Sequence, residues 1–103
     1  MLQRALRLAG YEVAAFASGE EFLDSLPSRL PRCAIVDVRM PGLTGFDVAR
    51  RVRAANFRVP LILITASDDA GIDRTAAAAG AVCLLHKPFS TDALLAALRD
   101  ADA

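Results

Sequence analysis

A chain of 103 residues has room for one small domain, and a hydrophobic share of 54% excludes a disordered tail. Lys plus Arg and Asp plus Glu stand at 12 each, so no excess positive charge is available to track a nucleic-acid backbone, and no direct nucleic-acid partner is expected. No stretch approaches the roughly 20 apolar residues of a membrane span, and the opening MLQRALRLAG lacks the apolar core and cleavage site of a signal peptide, which points to the cytoplasm and away from a membrane.

Residues 1–9 repeat apolar positions at helical spacing (Leu2, Ala5, Leu6, Ala9), with Gly10 as the stop. Tyr11 to Phe16 is short and β-leaning. Ser18 with Glu21 three residues on reads as a capping box for a helix to Leu26. Pro27 to Arg32 is a connection, Cys33 to Val38 a buried strand, and Met40 to Gly45 a loop. Phe46 to Ala55 is helical, with Phe46, Ala49 and Val52 on one face and the arginines at 50, 51 and 53 mostly solvated. Leu61-Ile62-Leu63-Ile64-Thr65 is apolar on consecutive positions, as a strand covered on both faces should be. An alanine-rich helix runs from Asp68 to Ala79 and closes at Gly80. Ala81 to His86 is another strand, and Ser90-Thr91-Asp92 starts a last helix ending near Asp100. This α-β-α-β-α-β-α-β-α order predicts a parallel sheet with helices on both faces. Cys33 and Cys83, on strands separated by a third, would lie about 9–10 Å apart, too far for a bridge, and read as buried thiols.

Ligands of open α/β sheets bind at the carboxyl ends of the strands. Three polar residues fall there: Asp37 after CAIV, Thr65 after LILI and Lys87 after VCLLH. Around one crevice they supply a carboxylate able to attack phosphorus, a hydroxyl to donate to a phosphoryl oxygen and an ammonium to balance charge. Each also has a plainer reading: Asp37 as a turn cap, Thr65 as a strand-end β-former, Lys87 as a solvated charge. His86 reads as a strand residue with an exposed edge, and Phe89 as an anchor for the last helix.

The pieces IVDVRMPGLTG, PLILITAS and AGAVCLLHKPF, in this order and spacing, resemble the receiver domain of two-component response regulators over nearly the whole chain. The resemblance implies a flavodoxin-like fold, with Asp37 as phosphoacceptor from a phosphohistidine on a sensor histidine kinase or phosphotransfer protein. It implies Thr65 as the switch hydroxyl, Lys87 as the phosphate contact, a cis Lys87–Pro88 bond, and Mg2+ held by Asp37 and the backbone carbonyl of Arg39. Receivers begin with a strand, central in the order 2-1-3-4-5, followed by an acidic pair, and neither is found here. Residues 1–103 therefore read as a receiver-like domain incomplete at its N-terminus, with about four strands per chain.

Three expectations follow from that departure. Asp37 is left as the only charged family ligand, so magnesium binding should be weak or absent, and as the nearest counter-charge of Lys87 it should form a tight ion pair that blunts the nucleophile and slows phosphorylation. The gap left by the first strand should be closed either by the 11–16 strand sliding beside 33–38 or, as the favoured solution, by a homodimer formed through strand pairing or N-terminal exchange. Leu84 stands three before the lysine, where the family usually carries an aromatic switch residue, so readout should differ. With nothing after Ala103, the message should leave through contact with an unknown downstream protein, and Met1 is a candidate internal methionine of a longer reading frame. The alternative function is a degenerate receiver serving only as a phosphorylation-independent interaction or dimerisation module. A small phosphatase ranks last, because no second catalytic acid or base accompanies Asp37; the chain is expected to be a phosphoacceptor and not an enzyme.

Overall fold

The computed structural model describes residues 2–102. Met1, in the first predicted helix, and Ala103, the last residue of the expected domain, lie outside them. Helices α1 (Leu2–Leu8) and α2 (Gly19–Ser25) precede strand β1 (Ala34–Asp37). Then α3 (Gly45–Ala54), β2 (Leu61–Thr65), α4 (Ile72–Ala79), β3 (Cys83–His86) and α5 (Thr91–Asp102) alternate to the end. The strands form one parallel sheet in the order β1-β2-β3, with Asp37 opposite Ile64 and Thr65 opposite His86.

The pleat sorts side chains onto two faces. Ala34, Val36, Leu61 and Leu63 pack with Phe22 of α2, Val48, Ala49 and Val52 of α3, and Ala76 and Ala79 of α4. Ile62, with Cys33, Ile35, Cys83 and Leu85 around it, packs against Leu6 of α1 and Leu94, Ala97 and Leu98 of α5. Every residue of β2 is buried, because it is paired on both edges and covered on both faces. The consecutive apolar run at 61–65 reports that position directly.

Two expectations are corrected here. The strand at Tyr11–Phe16 does not form, so the sheet has three strands and not four. Residues 12–17 make no backbone hydrogen bond among the described residues. Nor has the segment slid beside β1: Ala34 and Val38 donate to Pro60 and Ile64 on the β2 side, which turns the Ile35 and Asp37 backbone groups toward an outer edge with no strand beside it. Side chains hold the segment in place instead. Val13 packs on the α1/α5 side, and the Phe16 ring meets Phe22 edge-on at 5.6 Å between centroids. The cysteines are free thiols as expected, but half-buried and not buried. They sit on the α5 side, where cover is thinner than around β2. Burial nevertheless pushes the Cys33 thiol up to about 11 and raises that of Cys83.

The helix expected from Asp68 begins at Ile72. Gly71 adopts the left-handed conformation (φ +85°), and α4 has no side-chain cap hydrogen bond at its start. The preceding residues satisfy themselves as a loop: Ser67 Oγ accepts from the Asp69 amide, and the Asp69 carbonyl accepts from Ile72. The Leu26–Pro27 bond after α2 is cis.

Candidate functional site

Asp37 closes β1, where the chain must leave the sheet and turn into α3. Gly45 allows that turn to be tight. A Cβ built on Gly45 would lie 2.6 Å from the Asp37 carbonyl oxygen, so only glycine lets the helix start so close to the strand end. The Gly45 amide donates to the Val38 carbonyl at 3.0 Å. Thr44 and Asp47 then exchange both bonds of a capping box, at 3.2 and 3.1 Å, fixing the first turn of α3. The Thr44 amide and hydroxyl hold the Asp47 carboxyl below its ordinary range. Sequence reading placed the loop but missed this box, because Thr44-Gly45-Phe46-Asp47 has Asp where the usual signature has Glu or Gln.

Both oxygens of the Asp37 carboxylate are engaged. Oδ1 accepts from the Arg39 amide at 3.0 Å, and Oδ2 lies 2.6 Å from Lys87 Nζ. Lys87 follows the last residue of β3, two strands away, and reaches Asp37 by crossing over the end of β2 near Ile64, which is opposite Asp37. The Lys87 amide donates to the Thr65 carbonyl at 2.7 Å, holding its main chain to the tip of β2, and the Lys87–Pro88 bond is cis. The pair is still reachable from solvent, with side-chain exposures of 32% for Asp37 and 41% for Lys87.

The structure thus brings Asp37 and Lys87 into contact. Thr65 is tied to them through the backbone only. Its side chain is buried and follows Leu61 and Leu63 to the α2–α4 side by the pleat, and its Oγ1 accepts from the Ser67 amide at 3.0 Å. Arg39 contributes its amide to the carboxylate and leaves its side chain exposed. A shallow groove lined by Val38, Arg39, Met40, Pro41, Thr44 and Phe46 opens beside the carboxylate and does not include Lys87.

One cluster near the site was not legible in the sequence. The His86 ring lies between two acceptors, with Nδ1 3.3 Å from the Ser67 carbonyl and Nε2 3.2 Å from Asp73 Oδ1. Nothing in the spacing of Ser67, Asp73 and His86 announces it, because the contact depends on where α4 begins.

Magnesium wants six oxygens in octahedral array and usually one or two carboxylates. Asp37 offers one carboxylate, already hydrogen-bonded at both oxygens. Asp68 and Asp69 are exposed in the next loop, and no group of three or more His, Cys, Asp or Glu side chains suited to a metal occurs among the described residues. The residues as placed do not fit a resident magnesium ion.

Comparison with known proteins agrees with this architecture. The family profile of the response regulator receiver domain matches residues 1–99. The transcriptional regulatory protein FixJ of Bradyrhizobium diazoefficiens is 38% identical over 93 residues, which cover 90% of this chain and 45% of FixJ. Nodulation protein W of the same organism is 38% identical over 97 residues, covering 94% of this chain and 43% of that protein. The chain therefore spans less than half the length of these curated relatives. Among solved structures, FixJ-N superposes with a TM-score of 0.91 at 30% identity, over 98% of this chain and 81% of that one. The chemotaxis protein CheY4 of Vibrio cholerae gives 0.88 at 31% identity, over 97% and 85%. A parallel sheet tipped by a carboxylate and a lysine, matched by a receiver profile along almost its full length, identifies the chain as a member of the receiver-domain family of two-component response regulators.

Proposed function

We propose that this receiver is a phosphoacceptor module of a two-component phosphorelay, with Asp37 receiving the phosphoryl group from a phosphohistidine of a sensor kinase or phosphotransfer protein. The observation that carries the reading is the solvent-reachable Asp37 carboxylate, 2.6 Å from the Lys87 ammonium at the tip of the sheet. A carboxylate oxygen attacks phosphorus, the P–N bond breaks, and its electron pair returns to the imidazole as an acyl phosphate forms on Asp37. Lys87 balances the incoming charge. Thr65 would leave the Ser67 amide and donate its hydroxyl proton to a phosphoryl oxygen. In this reading the chain is acted on by its donor and is no turnover enzyme. A phosphohistidine donor and free thiols at Cys33 and Cys83 both suit a reducing cytoplasm.

Transfer is slowed by the same contact, because Lys87 must give up Oδ2 before that oxygen can attack. Receiver domains generally use magnesium at the phosphorylation site, but the donor set around Asp37 supports weak or absent binding here. Incubation with phosphoramidate, read by intact mass, tests the proposal: the native chain gains one phosphoryl group slowly and Asp37→Asn gains none. Equal labelling of both chains refutes Asp37 as the acceptor. Site-specific tightening of magnesium at or below millimolar concentration with a phosphoryl analogue would overturn the weak-metal expectation.

A second reading, an interaction module independent of phosphorylation, is favoured by the occupied carboxylate and by Leu84, packed against the α2–α4 cluster in place of a ring. Its partner surface would be the outer edge of β1, where a second copy could pair with backbone groups that β2 leaves free. Light scattering that finds only monomer at high concentration excludes this homodimer.

A further inference from the structure

We propose that His86 is a positioning residue that reports the state of the Asp37 site to the start of α4; this rests on Asp37 being the phosphoacceptor. Ser67 is held at both ends of its main chain. Its amide donates to Thr65 Oγ1 at 3.0 Å, and its carbonyl faces His86 Nδ1 at 3.3 Å. The other ring nitrogen of His86 faces Asp73 in the first turn of α4, at 3.2 Å. Thr65 and His86 are register partners at the tips of β2 and β3, so the relay Thr65–Ser67–His86–Asp73 is continuous from the switch hydroxyl to the helix.

The start of α4 depends on that relay because its own sequence provides little. Gly71 supplies no capping side chain, and a Cβ there would meet nothing within 4 Å. Glycine is a tolerated N-cap, but it leaves the first amides of α4 without a side-chain acceptor. Both partners of the ring are acceptors: a neutral imidazole donates to one of them, whichever its tautomer selects, and a protonated ring donates to both, so His86 links the loop and the helix through its placement between them. If the Thr65 hydroxyl turns to a phosphoryl group, the Ser67 amide loses its acceptor, the Ser67 peptide shifts, and His86 carries the shift to Asp73. Leu84, one pleat repeat earlier on the same face, has no polar atom with which to do this.

Amide hydrogen exchange and the ring C–H resonances of His86 test the proposal on the 103-residue chain. His86→Leu should speed exchange roughly tenfold at the hydrogen-bonded amides of Ser67, Asp69, Ile72 and Thr75 while β1 and β2 stay protected. Asp73→Ala, which removes the acceptor at an exposed position, should reproduce part of that effect at Ile72 and Thr75 even if the leucine variant folds poorly. Unchanged exchange in both variants overturns the tether. Thr65→Val removes the hydroxyl without changing side-chain volume much, and should shift the His86 ring resonances with no phosphoryl group present. Unmoved resonances overturn the coupling. Phosphoramidate is then added with intact mass in parallel. A phosphorylated chain whose His86 resonances stay in place leaves a static brace and refutes the reporting role. A chain that takes no phosphoryl group refutes the phosphoacceptor reading and with it the reporting role, while the exchange and valine arms still decide the tether and its coupling.

Discussion

Residues 61–65 and 11–16 are both short, apolar runs, yet only the first becomes a strand. Leu61 to Thr65 has β1 on one side and β3 on the other, and helices on both faces, so every backbone bond and every side chain finds a partner. Tyr11 to Phe16 includes Glu12 and uses two of its side chains: Val13 packs under the sheet, and Phe16, still partly exposed, meets Phe22. It pairs with no edge, although the outer edge of β1 is open. An apolar run makes a strand only where a neighbouring backbone completes the ladder, and side-chain packing can hold an extended segment in place without one.

The largest effect expected from this difference is in amide exchange. The amides of Ile62 and Leu63 should exchange at least ~1,000-fold more slowly than those of residues 13–16, which have no backbone acceptor. Similar protection in the two segments would mean that 11–16 finds a partner in solution. Next in size is a pair of truncations. Leu63→Ala, in the fully buried centre of β2, should cost about 2–5 kcal/mol in denaturant melts. Val13→Ala should cost about 1 kcal/mol or less, since its half-buried side chain loses little cover.

The cap of α3 provides a smaller effect with a pH signature. Thr44→Ala should destabilise by about 1 kcal/mol. The Asp47 carboxyl is held below its ordinary value of 3.8, so its contribution is present above that value and lost as pH falls through the lower, folded one. Asp47→Asn should therefore flatten the acid limb of the stability profile below about pH 4 and leave its shape near neutrality unchanged. The smallest stability change belongs to Lys87→Met. Its ion pair is partly solvated and worth under about 1 kcal/mol. The same substitution should still alter the rate of Asp37 labelling, which separates the site's chemistry from its part in holding the fold.

Much of this fold was legible because the signals were local. The alternation of elements, the doubly covered strand at 61–65 and the glycine stops at 10 and 80 can be read without distant context. So can Asp37 and Lys87 at strand ends, and the expected ion pair between them is present. What was not legible depended on neighbours. The segment at 11–16 carries a strand-like pattern but does not dock on the open edge of β1, and without that ladder it is no strand. Asp68 and Asp69 look like a helix start, yet Gly71 in the left-handed region delays α4 to Ile72, and that delay puts Asp73 beside His86. Thr65 was placed correctly at a strand end, but the pleat and the Ser67 amide, which only the folded loop supplies, set the direction of its hydroxyl.

The bridge from Lys87 across Ile64 to Asp37 has an electrostatic corollary. At rest the tip of the sheet is a closed dipole, one negative and one positive charge in contact, with little field beyond the pair. An acyl phosphate on Asp37 would bring close to two negative charges against the same single ammonium. The tip would then be net anionic, within a loop's length of Asp68 and Asp69, and repulsion would push that loop outward at the moment the Thr65 hydroxyl is drawn inward.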